Sequence, residues 1–264
     1  MFGVTGKISV IPNGVDTTKF NFEIDRDAIK EKYGVKRGSN LILFLARLVY
    51  QKGANVLIGA LRIILARYSN ANAEEGRDVE LVIVGEGPMR EQLEKDAAYL
   101  GVTKHVVFTG YLDDYEVRNL LKAADVVVVP SLYEPFGIVA LEAMAAKTPV
   151  VASDVDGLSE LIRDGEGVKV PPNNSEILAA SIIKILSDED EERAKGGVVV
   201  ERMLEKGFKR AIDLNWDKIS DATIGVYAKV LSLTRARAKD IEMRIETWAG
   251  IGTEKQELWR HLYS

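Results

Sequence analysis

The sequence has no cysteine, two histidines, seven prolines and no apolar run near the roughly 18–20 residues that a bilayer span requires. Without cysteine there can be no disulfide and no thiolate zinc site, and a reducing cytoplasm is the expected compartment. No stretch reads as a signal peptide. Positive charge is also in deficit, since 35 Lys and Arg against 40 Asp and Glu leave a net charge of -5. Nucleic-acid binding draws on basic surface, so no nucleic-acid partner is expected. Any anion this chain binds must be met by cations placed locally. Aliphatic material is abundant: 47% of 264 residues are hydrophobic, enough for one large domain or two small ones.

That material is arranged in short runs. They are Ile8–Ile11, Leu41–Ala46, Glu80–Gly85, Val106–Gly110, Asp125–Ser131 and Thr148–Ser153, with a weaker seventh at Gly167–Pro171. Continuous rather than alternating apolar runs are what strands buried on both faces require, as in parallel sheets. Helical spacing fills the intervals Ala54–Tyr68, Pro88–Leu100, Asp113–Ala123 and Ile138–Ala146. The expected fold is therefore α/β, a doubly wound, Rossmann-like parallel sheet. Ser69–Asp78 reads as a polar surface loop. Residues 1–231 are assigned to the α/β domain and 232–264 to a helical C-terminal extension. The extension carries Trp248, Trp259 and Tyr263. Three readings of its apolar side chains stay open: cover for a further domain, a self-association surface, or a helix folded back.

Doubly wound sheets bind ligands at the carboxyl ends of their strands, so the loops after Ala46, Val84, Thr109 and Val129 carry the interest. In DVVVVPSLYEPFGIVALEAM a buried strand is followed by a loop and by a helix starting near Gly137. The free amides at Gly137, Ile138 and Val139 would suit a phosphate, and the missing side chain at 137 would let it approach the backbone. Glu134 lies in the loop. Glu142 lies five residues past Gly137, roughly 7–8 Å along the helix, a distance that suits a neighbouring diol. Taken singly, each glutamate also reads as an ordinary surface charge. In LFLARLVYQKG, Arg47 follows a buried strand and Lys52 comes five residues later, two local cations for a diphosphate; pairing with surface carboxylates is the commoner fate. Gly85 and Gly87 serve either a tight turn or a ligand. Arg90 occupies the third glycine position of a dinucleotide fingerprint, which counts against a nicotinamide cofactor.

These motifs, in this order, resemble the retaining GT-B glycosyltransferases, specifically glycosyltransferase family 4 and its glycogen-synthase-like relatives. VIPNGVDTTKF, ARLVYQKG, VGEGP, VVFTGYL, the two glutamates and VASDVDGLSELIRDGEGVKVPP follow in family sequence over about Ile8–Leu231. FKRAIDLNWDKISDATIGVYAKVL resembles the family's closing helix. The resemblance implies the C-terminal half of a GT-B fold, with a nucleoside diphosphate sugar as substrate and neither metal nor other cofactor. It implies Arg47 and Lys52 on the donor diphosphate, Glu134 on the donor sugar and Glu142 on the ribose. It further implies that the amides of Phe136, Gly137, Ile138 and Val139 cap the phosphates, and that Gly85, Gly110, Tyr111 and Leu112 frame the base.

Two departures stand out. Asp156 sits where relatives usually have glycine, giving an Asp-Val-Asp triplet that imitates a metal-binding motif; no metal is expected there, and neither His105 nor His261 has the spacing to complete such a site. The acceptor-binding N-terminal domain is also missing from the sequence, so its partner is either a lost domain or a separate acceptor subunit, and the chain alone is expected to be inactive in transfer. The competing readings are a nucleotide-sugar epimerase fragment and a non-catalytic nucleotide-binding or partner subunit.

Overall fold

The computed structural model describes residues 8–70, 78–195 and 198–250. One sheet contains β1 (Asn40–Leu45), β2 (Val79–Val84), β3 (Val106–Gly110), β4 (Val126–Val129), β5 (Val150–Ser153) and β6 (Val168–Val170). Their spatial order is β3-β2-β1-β4-β5-β6 and every pairing is parallel. The chain steps outward from β1 to β3, crosses back, and steps the other way from β4 to β6. The reversal lies between β1 and β4, which pair through Ile42–Val126 and Leu43–Val127. This is the doubly wound arrangement expected from the sequence.

The helices are α1 (Arg26–Lys32), α2 (Ala54–Asn70), α3 (Arg90–Tyr99), α4 (Asp114–Ala123), α5 (Ile138–Ala145), α6 (Asp156–Leu161), α7 (Ser175–Lys195), α8 (Val198–Asp213) and α9 (Trp216–Gly250). Along β1, Ile42 and Phe44 join Leu57, Leu61 and Ile64 of α2 and Ile182 and Leu186 of α7 in one buried cluster. Leu41 and Leu43 are equally buried but lie outside that cluster, on the opposite face, because side chains alternate along a strand. Helices on both faces explain why the strands carry unbroken apolar runs. Loop chemistry sets helix starts: the carboxylates of Asp25 and Asp113 accept the Ala28 and Glu116 amides at 3.0 and 2.8 Å.

The chain divides into one compact unit, Pro12–Trp216, and a second comprising Met1–Ile11 and Asp217–Ser264. The first closes on itself, since the Val15 amide donates to the Leu214 carbonyl at 2.9 Å. In the second, α9 runs without a break through the boundary at 231 drawn from sequence. Ile8–Ile11 forms no strand, and Ile8 and Val10 are exposed. A β-branched run becomes a strand only where a neighbouring strand completes its hydrogen bonds. Trp259, His261, Tyr263 and residues 71–77 lie outside the described residues. Among the described residues no helix is long and apolar enough to cross a membrane.

At the amino ends of β1 and β4 one carboxylate organises the chain. Asp125, 4% exposed, receives the Arg26 guanidinium at 2.8 Å, the Lys30 ammonium at 2.6 Å and the Leu41 amide at 2.6 Å. Lys30, itself buried, donates also to the Ser39 carbonyl at 2.9 Å. Removing one partner of such a pair strands the other charge in the interior. Asp125→Ala is expected to lower stability by about 3–5 kcal/mol in urea unfolding. Lys36→Ala, which breaks an exposed 2.5 Å pair with Asp78, is expected to leave the urea midpoint nearly unchanged, because solvent screens such a pair.

Candidate functional site

The loops that follow β1 and β4 meet at the carboxyl end of the switch point. A 3-10 turn, Tyr50–Lys52, ends at Gly53 with φ +69°. A Cβ at Gly53 would lie 2.0 Å from the Pro130 carbonyl oxygen, so only glycine lets the loops approach this closely. The Leu132 amide donates to the Gln51 carbonyl at 2.7 Å. Lys52 Nζ meets Glu134 Oε2 at 2.5 Å, and Ser131 Oγ donates to the same oxygen at 3.3 Å. Lys52 and Glu134 are 26% and 13% exposed, so each would bear a desolvation cost if left unpaired. Two site residues 82 positions apart in sequence are thus in direct contact. The sequence offered Lys52 either a diphosphate or a carboxylate; in the structure its side chain meets the Glu134 carboxylate.

Arg47, one residue beyond Ala46, is exposed; its carbonyl accepts from the Val49 amide at 2.9 Å, while its side chain makes no hydrogen bond or ion pair with any described residue. The β2–α3 turn supports its loop. A Cβ at Gly85 would lie 2.0 Å from the Ala46 oxygen, and one at Gly87 would lie 2.4 Å from the Leu48 oxygen. Leu48 also donates to the Glu86 carbonyl at 2.8 Å. Close packing against the Arg47 loop therefore accounts for both glycines. Gly85 donates to the Gly110 carbonyl at 2.8 Å, which brings Tyr111 and Leu112 to the same end of the sheet, Tyr111 exposed and Leu112 half-buried.

Gly137 precedes α5 with φ +94°. Its expected purpose was open space for an anion, but a Cβ there would strike Leu158 Cδ2 at 2.4 Å. The glycine is required by its left-handed backbone and by the packing of α6. The first amides of α5 still lack acceptors: among the described residues none meets Ile138, Val139 or Ala140. Phe136 and Val139 are half-buried, and Ile138 is exposed.

Glu142, one turn after Ile138, borders with it a cleft of about 180 Å³ that also touches Asp16, Lys19, Asp114, Arg118 and Trp216. Burial pushes the Glu142 carboxyl above its ordinary range; Asp114 adds to the rise and Lys19 opposes it. The Arg118 Nε is buried without a hydrogen-bond partner among the described residues. Sequence reading did not single out Lys19, Asp114 or Arg118 for this site. The only trace of the last two is their i, i+4 spacing on α4; the opposing wall comes from residues 14–20 and 216, remote in sequence. The Asp-Val-Asp triplet does not converge: Asp154 accepts from Ser159 Oγ at 2.6 Å, while Asp156 Oδ2 accepts from the Glu134 amide at 3.4 Å. No group of three His, Cys, Asp or Glu among the described residues is placed to hold a metal.

Residues 25–197 match the family described as Glycosyl transferases group 1. An uncharacterized glycosyltransferase of Methanocaldococcus jannaschii is 39% identical over 225 residues, covering 84% of this chain and 54% of that protein. The chain spans about half the length of the curated relatives it matches. The Anabaena protein HepE, solved in complex with UDP and glucose, superposes with a TM-score of 0.69 at 25% identity, over 84% of this chain and 57% of its own. A C-terminal domain of a group 1 glycosyl transferase from Francisella tularensis gives a TM-score of 0.63 at 28% identity, over 75% of this chain and 97% of its own. Sheet order, motif order and relatives agree that the chain belongs to the group 1 glycosyl transferases, as the C-terminal half of their GT-B fold.

Proposed function

We propose that this chain is the donor-binding domain of a retaining, metal-independent hexosyltransferase of the cytoplasm, which takes a nucleoside diphosphate sugar in the crevice between β1 and β4. The observation that carries the reading is the meeting of the Lys52 and Glu134 loops across the switch point, with the unpartnered α5 amides beside Glu134 in the chain. Sheets of this topology bind ligands at that place. The Anabaena neighbour's complex with UDP and glucose supports the ligand class.

In this reading Arg47, Lys52 and the amides of Phe136 to Val139 receive the diphosphate. Glu142 accepts from the ribose hydroxyls, and the cleft beside it houses the nucleoside, with Tyr111 and Leu112 toward the base. Glu134 faces the sugar. As the glycosidic bond to the diphosphate breaks, negative charge grows on the departing phosphate oxygen. Cations and amides fixed in advance lower that barrier because they need no reorganisation, and this is the office a metal would otherwise fill. Transfer also requires an acceptor held against the donor and shielded from water. That half of the cleft is assigned to a second domain or subunit, so the chain alone binds donor and transfers little.

Calorimetric titration with UDP, GDP, ADP and NAD is expected to show binding of at least one diphosphate in preference to NAD; preference for NAD overturns the proposal. Arg47→Ala is expected to weaken that diphosphate by about tenfold or more, the loss of one charge-assisted hydrogen bond.

Glu142→Gln separates affinity from stability. The folded carboxyl titrates above the unfolded one, so the stability associated with its proton is present at acid pH and is lost as pH rises through the raised value. Glutamine removes that loss. The variant is expected to melt above wild type at pH 7, with the gap closing toward pH 4, and to bind the nucleotide about tenfold more weakly. Thermal melts across pH and the same titration check both halves.

A further inference from the structure

The Asp156 position combines two features that the donor-site reading does not use. Its φ is +36°, in the left-handed region where residues with a side chain are uncommon. Its carboxylate nevertheless lies in the site, accepting from the Glu134 amide at 3.4 Å. The loop behind it is wedged in place: the Gly157 amide donates to the Glu134 carbonyl at 3.0 Å, and a Cβ at Gly157 would lie 2.1 Å from the Pro135 oxygen. Asp156 cannot easily move away from Glu134 without separating these loops.

Charge compensation is uneven there. The Glu134 carboxylate has Lys52 at 2.5 Å, and Asp154 has Lys169 at 3.6 Å. Asp156 is exposed and has no cation within ion-pair range among the described residues. On the diphosphate side the site offers Arg47 and Lys52; beyond Glu134 it turns negative. A hydroxyl or an amine meeting that negative end donates a hydrogen bond to it, whereas a carboxylate is repelled.

We propose that Asp156 is a specificity-determining residue of the donor site: its carboxylate favours a neutral or amino sugar and turns away a sugar acid. The inference rests on the reading that Glu134 faces the donor sugar. A purely structural carboxylate at the first turn of α6 would affect melting and leave sugar preference unchanged.

The test titrates the full chain, with Asp156→Asn and Asp156→Gly beside it. The ligands are whichever of UDP, GDP and ADP binds best, then the glucose and glucuronate conjugates of that nucleotide. Wild type is expected to prefer the glucose conjugate by about tenfold at low salt, the order of one like-charge contact in a half-solvated site, and by less at high salt. Both variants are expected to bring the ratio within about twofold; because the ratio compares two conjugates of one nucleotide, a change in bare-diphosphate affinity common to both cancels, and the glycine variant preserves melting because glycine adopts φ +36° freely. Diphosphate binding with a glucose-to-glucuronate ratio near one in wild type, or with an unchanged ratio in both variants, overturns the role of Asp156 alone. Failure of all three diphosphates to bind overturns the donor-site reading and this inference with it.

Discussion

The adjacency of β1 and β4 is the constraint on which this molecule depends, and Asp125 fixes it. Its carboxylate joins α1 to the start of β1 at the amino end of the two strands through Arg26, Lys30 and the Leu41 amide. Their carboxyl ends are tied separately, by the Gly53–Pro130 approach and the Lys52–Glu134 pair. A buried ion pair is weak evidence of stability in itself, because desolvation offsets most of the attraction. Its value here is positional. If β4 paired anywhere other than beside β1, the two loops that form the site would not meet.

The proposed function sets an electrostatic requirement, that an acidic chain meet an anionic ligand. The net charge of -5 belongs to the chain as a whole, and solvent and salt screen exposed charges beyond about 10 Å. The candidate site instead sets cations and free donors among its carboxylates: Arg47 without an ion pair among the described residues, Lys52 half-buried against Glu134, and a helix start whose amides lack acceptors. Carboxylates are nevertheless admitted at defined depths. Glu142 is buried enough for its proton affinity to rise, and Glu134 is paired. Folding alone disfavours the burial that raises Glu142, and a carboxylate so perturbed in a cleft is a candidate for function.

Backbone strain follows the same pattern. Gly53, Gly85 and Gly137 have left-handed backbones and pack against a neighbouring loop or helix where a side chain would clash. Each therefore records a close approach between segments that are distant in sequence. Asp156 adopts comparable geometry without being glycine. The strain there is what the proposed role in sugar selection would account for.

Strand positions were legible because a sheet covered on both faces demands unbroken apolar runs, and β1 to β6 carry them. Ile8–Ile11 shows the limit of that signal, since pairing is a property of neighbours. The candidate site was legible as motifs: Arg47 follows a predicted strand, Lys52 and Gly137 precede predicted helices, Glu134 lies in the loop between strand and helix, and Glu142 lies a turn inside that helix, near the end of the sheet where topology places ligands. Their partners were not. That Lys52 turns to Glu134, that Leu158 fills the space beside Gly137, and that Lys19 and Arg118 close a cleft around Glu142 all depend on distances between segments far apart in the chain. Periodicity and local turn chemistry determined which elements form and which way their ends face. Only the packing of the sheet decided which charges meet, because Coulomb and hydrogen-bond energies depend on separation in space, and sequence order does not encode that separation.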